Sequence, residues 1–86
     1  MDVKIPRIVS AKISDSTTLL VQFSNHEWRK YDITQLWDKP MFFPLRDFNI
    51  FKKFTLDSNG HGIVWNKDID ISEYEIWVNG QPLSPI

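Results

Sequence analysis

The chain has 86 residues, with 10 basic and 11 acidic side chains, a net charge of −1 at pH 7 and no cysteine. That length suits one domain, 1–86, and the missing thiols exclude disulfide staples and thiolate metal sites. A charge so near zero gives no general pull on nucleic acid or an anionic membrane, and no apolar run approaches the roughly 20 residues of a membrane span.

At the N-terminus, MDVKIPRIVS lacks the uninterrupted apolar stretch of a secretory signal, so a cytoplasmic protein is expected. Residues 8–14 alternate so that Val9, Ala11 and Ile13 share a strand face, and Asp15-Ser16-Thr17 supplies turn residues. Leu19, Val21 and Phe23 alternate again over 18–24. Ser24-Asn25-His26-Glu27 reads as a second turn, in which Asn25 tolerates a left-handed backbone while His26 stands where glycine is easier. A third strand over 27–33 turns Tyr31 and Ile33 to the core, leaving Trp28, Lys30 and Leu20 on the other face. Asp32 can cap a single helical turn through Leu36 and Trp37, which Pro40 stops. Met41-Phe42-Phe43-Pro44 follows as a strongly apolar connector.

The densest start, stop and core signals run from Leu45 to Trp77. Asp47, before Phe48 and Phe51, marks an N-cap and a short helix over 48–53, with Arg46 as a surface or packing residue. Phe54-Thr55-Leu56 and Gly62-Ile63-Val64-Trp65, separated by Ser58-Asn59-Gly60, read as a β-hairpin. Ser72 and Glu75 have capping-box spacing for a helix from 73 to about 77, with Gly80 beyond its end. These elements make a small α+β fold: an antiparallel β-meander plus a β-hairpin, with two or three short helices. With four Trp, six Phe and two Tyr, aromatic rings supply much of the core.

The meander with Leu19-x-Val21-x-Phe23, the strand end Tyr31-Asp32-Ile33, Leu45-Arg46-Asp47 followed by Phe51, Gly62-Ile63-Val64-Trp65 and Asp70-Ile71-Ser72 together span about residues 6–80. In these landmarks the chain resembles the bacterial family called domain of unknown function 2442. It departs from that pattern at His26, where a turn glycine is common, and at Phe48, where proline often opens the helix. The resemblance implies an α+β fold with no assigned catalytic residues and no cofactor. It also implies an antitoxin-like, partner-binding role, since members are often encoded beside a small toxin-like protein. Some members carry an appended helix-turn-helix domain, for which 86 residues leave no room, so DNA binding of that kind is not expected.

Candidate chemistry is sparse. His26 and His61 each fall in a turn; a catalytic histidine needs an orienting carboxylate and a nucleophile within reach, and spacing supplies neither, so both read as solvated. Asp68, Asp70, Glu73 and Glu75 cluster without the Gly-centred spacing of a calcium loop, so Asp70, Ser72 and Glu75 read as helix-start residues and no metal is expected. No enzymatic activity is expected. Trp37, Met41, Phe42 and Phe43 are the candidate partner-binding residues: so apolar a connector either folds onto the core or forms a patch of interface composition. The alternative site is Trp28, Arg29, Lys30 and Tyr31, where aromatic and basic residues interleave as on a single-stranded nucleic-acid platform, although the chain is slightly acidic overall. Residues 57–86 carry one basic and five acidic side chains, and the segment from Asp57 to Glu75 would suit a basic partner. The reading is a non-enzymatic interaction module that binds another protein, with a nucleic-acid-binding regulator as the alternative and a homodimer through the Leu20–Trp28 face also open.

Overall fold

Strand periodicity in the first part of the chain becomes a meander of β1 (Ile8–Asp15), β2 (Thr18–Phe23) and β3 (Trp28–Asp32) in a computed structural model that describes residues 5–83. Residues 1–4 and 84–86, the ends of the expected 1–86 domain, lie outside the described residues. After β3 come two 3₁₀ helices, Ile33–Leu36 and Pro40–Arg46, then α1 (Phe48–Phe51), β4 (Thr55–Leu56), β5 (Gly62–Asn66), β6 (Ile69–Ser72), α2 (Glu73–Asn79) and β7 (Gln81–Pro82). The strands form two antiparallel sheets, β1-β2-β3-β7 and β4-β5-β6, so the α+β architecture is the one the sequence implies. Two strands go beyond that reading: β6 extends the hairpin, and β7 closes the free edge of β3.

The β1 face differs from the alternation expected. Ile8 lies opposite Phe23 but Ser10 opposite Gln22, so Val9 is an extra residue in a β-bulge. The bulge shifts the phase by one. Ile8, Ala11 and Ile13 therefore pack on the core, while Val9, expected beside Ala11, is exposed. The cause is non-local: Ile8 N–H donates to the Gly60 carbonyl at 2.8 Å, which ties the start of β1 to the β4–β5 turn. Gly60 has φ +74°, and a side chain there would put Cβ 2.6 Å from the Ile8 oxygen, so both conformation and space demand glycine.

In the β2–β3 turn it is His26, not Asn25, that takes the left-handed backbone, at φ 74°. Asn25 instead braces the turn, its Oδ1 accepting from Glu27 N–H at 3.1 Å. A left-handed conformation costs a non-glycine residue about 1–2 kcal/mol, and glycine returns roughly 0.5–1 kcal/mol of that through its freer unfolded chain. His26→Gly is thus expected to stabilise the domain by about 0.5–1 kcal/mol, read as a higher urea midpoint at unchanged slope; a lower midpoint would contradict it.

The core lies between the sheets and is closed by the helices. Leu19, Val21, Phe23 and Tyr31 from the meander meet Ile63, Ile69 and Ile71 from the second sheet, with Phe51 and Ile76 completing it. Phe51 stacks on Trp65 with ring centroids 6.1 Å apart, and Phe23 meets Trp77 edge-on at 5.1 Å.

The expected caps form, with one change. Asp32 accepts from Thr34 N–H, Asp47 from Asn49 N–H and Ser72 from Glu75 N–H, at 2.9, 2.9 and 3.1 Å. Glu75 does not complete a reciprocal capping box; its Oε2 accepts from Tyr31 O–H at 2.8 Å and Asn79 Nδ2 at 2.9 Å. A sheet-to-helix bond has taken the carboxylate.

Candidate protein-interaction surface

The segment Pro40–Arg46 coils as a 3₁₀ helix because Pro40 opens it with a preset φ and Pro44 carries no N–H for α-type bonding. Three residues per turn stack every third side chain on one stripe. Phe42 and Leu45 share the inner stripe and are buried; Phe43 and Arg46 share an outer one. The four partner-binding candidates are thereby divided. Phe42, 8% exposed, is a core residue, whereas Met41 and Phe43 stand 48% and 62% exposed. Trp37 is half-buried beneath Arg46, whose guanidinium lies 5.6 Å from the indole centroid and whose Nη2 donates to the Trp37 carbonyl at 2.7 Å. The Trp37 indole N–H is buried without a hydrogen-bond partner among the described residues.

Two residues of the short helix expected over 48–53 join this surface. Phe48 and Ile50 of α1 are 41% and 39% exposed, while Phe51 is fully buried. A helix of four residues presents barely one turn to the core, so only one of the two phenylalanines is enclosed. The warning sign is the Asp47 cap, which makes Phe48 the first helical residue. Cations lie over both exposed rings: Arg46 is 5.0 Å from the Phe43 centroid and Lys52 is 5.8 Å from that of Phe48.

The Trp28–Tyr31 strand offers less than its sequence suggests, because alternation turns Arg29 and Tyr31 inward. Tyr31 is fully buried, its hydroxyl on Glu75. Arg29 is buried over the Trp77 ring at 3.8 Å and pairs with Glu27 at 3.2 Å. The outward pair is Trp28 and Lys30, joined by Leu20 and by Lys12, whose Nζ is 5.4 Å from the Trp28 ring. A four-residue platform of stacking and phosphate-binding side chains is therefore not presented.

A family model described as "Protein of unknown function (DUF2442)" matches residues 8–81, from the first residue of β1 to the first of β7. The chain belongs to the DUF2442 family. No curated protein and no solved structure gives a match. The DUF2442 match takes in both sheets and both surfaces described above, and its description assigns no activity to any residue.

The histidines of this DUF2442 protein sit on turns, as expected, but one has a partner that spacing did not supply. His61 Nδ1 lies 3.3 Å from Glu73 Oε1, beside an open recess of about 550 Å³ that Arg7, Ser24 and Asn25 also line. His61 is 54% exposed at its side chain, and the Ser24 hydroxyl accepts from Arg7 N–H at 3.1 Å, so histidine, carboxylate and hydroxyl form no hydrogen-bonded relay among the described residues. Also among the described residues, no group of three or more His, Cys, Asp or Glu is placed to hold a metal ion, and no helix is long and apolar enough to cross a membrane.

Proposed function

We propose that this DUF2442 chain is a non-enzymatic protein-interaction module of the bacterial cytoplasm, acting as the antitoxin-like partner of a toxin-like protein encoded nearby. The observation that supports this reading is the exposure of Met41, Phe43, Phe48 and Ile50 on two short helices whose buried residues, Phe42, Leu45 and Phe51, anchor them in the core. Exposed aromatic and Met side chains on a rigid support are the composition of interface anchors, and truncating such an anchor typically costs about 2 kcal/mol or more of binding. Arg46 adds a guanidinium that is already oriented.

Co-expression with the product of the adjacent toxin-like gene, followed by size-exclusion chromatography, tests the proposal. The two chains should co-elute, and Phe43→Ser should weaken the complex about 30-fold while leaving the fold intact, because its side chain lies outside the core. Failure to co-elute with any neighbouring gene product would remove the antitoxin-like role. A complex indifferent to Phe43→Ser would move the interface elsewhere.

A further inference from the structure

We infer that the Phe43–Lys52 end of this surface receives an acidic segment of the partner, one that brings carboxylates to the cations and apolar side chains to the rings. The inference rests on the interaction-module reading and adds the chemistry of what is bound. Residues 38–53 carry Lys39, Arg46, Lys52 and Lys53 against Asp38 and Asp47, a local excess of positive charge in a chain whose total is −1. Asp47 uses Oδ1 to cap α1, accepting from Asn49 N–H at 2.9 Å. Two acids of other elements, Asp70 and Glu75, line a recess of about 290 Å³ together with Met41 and Lys39, and Glu75 already accepts from Tyr31 and Asn79. The excess therefore sits toward Phe43, Arg46, Phe48 and Lys52.

These cations are arranged on apolar rings rather than scattered. Arg46 and Lys52 lie within 6 Å of the Phe43 and Phe48 centroids, and among the described residues neither makes an ion pair. A carboxylate arriving at either cation brings its neighbouring side chain onto the exposed ring edge. The Trp37 carbonyl holds Arg46 in one orientation, leaving its other guanidinium N–H groups to receive a carboxylate. That directional fork favours a protein segment over an anionic membrane, which reads charge density alone. The acidic stretch from Asp57 to Glu75, noted in the sequence, would answer to a different, basic surface.

The test is an NMR titration of the full chain with a synthetic peptide alternating Glu with Leu and Phe, a counterpart with Lys for Glu, and phosphatidylglycerol vesicles. The acidic peptide should shift amide signals of residues 43–53, and Arg46→Glu and Lys52→Glu should each weaken it about tenfold. Lys52→Glu covers the case in which Arg46→Glu disturbs the Trp37 contact. An equal response to the Lys peptide, a response to vesicles alone, no response to the acidic peptide, or a solution mass showing that a second copy occupies the patch would overturn the inference. If Phe43→Ser releases the toxin-like partner while the two charge reversals do not, this inference fails and the interaction module stands. If none of the three substitutions affects a complex that forms, this inference fails and the interface of the module lies elsewhere.

Discussion

Phe51→Ala should lower the stability of the domain by about 3–5 kcal/mol, the range for deleting a fully enclosed aromatic ring. Phe51 is 0% exposed, lies parallel to Trp65 at 6.1 Å, and its carbonyl accepts from Trp65 Nε1 at 2.7 Å. Losing the ring opens a cavity where α1 meets the second sheet, and the indole loses its stacking partner. Small domains hold only about 5–15 kcal/mol in total, and one of this size belongs at the lower end, so a large fraction of the molecules should unfold at physiological temperature. Phe48→Ala is the built-in comparison: that ring is 41% exposed, and its loss should cost no more than about 1 kcal/mol. Urea titrations followed by tryptophan fluorescence measure both. Equal costs for the two substitutions would mean that the assigned core is wrong.

Stability should also fall steeply in alkali. Burial pushes the Tyr31 phenol well above its ordinary value of 10.0, and the hydrogen bond to Glu75 and the negative charge of that carboxylate push it further. The folded state thus holds the phenolic proton in a range where the unfolded chain has released it. Below pH 10 both states are protonated and the contribution is intact; above pH 10 the folded state binds more protons, so stability is lost as pH rises. One proton corresponds to a slope of roughly 1.4 kcal/mol per pH unit. The difference between wild type and Tyr31→Phe, measured by urea unfolding at a series of pH values, isolates this group from the other titrating side chains. Wild type should lose stability relative to Tyr31→Phe above pH 10, and parallel curves would refute the buried pairing.

The parts legible in the sequence are those set by local rules. Leu19, Val21 and Phe23 declare β2 because a sheet with one wet face imposes a period of two. Asp32, Asp47 and Ser72 declare helix starts because the first free N–H groups need an acceptor nearby. The parts that were not legible depend on distant partners. The Val9 bulge follows from the bond between Ile8 and Gly60, and the diversion of Glu75 follows from Tyr31. Ile69-Asp70-Ile71-Ser72 does alternate, with Ile69 and Ile71 buried, but its carboxylate drew a reading as helix-start chemistry and hid β6. Gln81-Pro82 has no pattern of its own; it is a strand because the edge of β3 is there to receive it. Composition flagged Met41 and Phe43, yet only the three-residue period separates them from Phe42. Phe48 and Ile50 needed the length of α1, which no spacing rule gives.

The closure of β3 by β7 has a consequence for how the protein is made. On the ribosome, the meander is synthesised well before α2 and β7, so Arg29 and Tyr31 emerge on a sheet face that lacks Trp77 and Glu75 to receive them. Folding of the first sheet cannot finish until nearly the last described residue has left the exit tunnel. A product stalled before α2 would display a bare guanidinium and phenol amid uncovered aliphatic side chains, a surface fit for a chaperone or a protease.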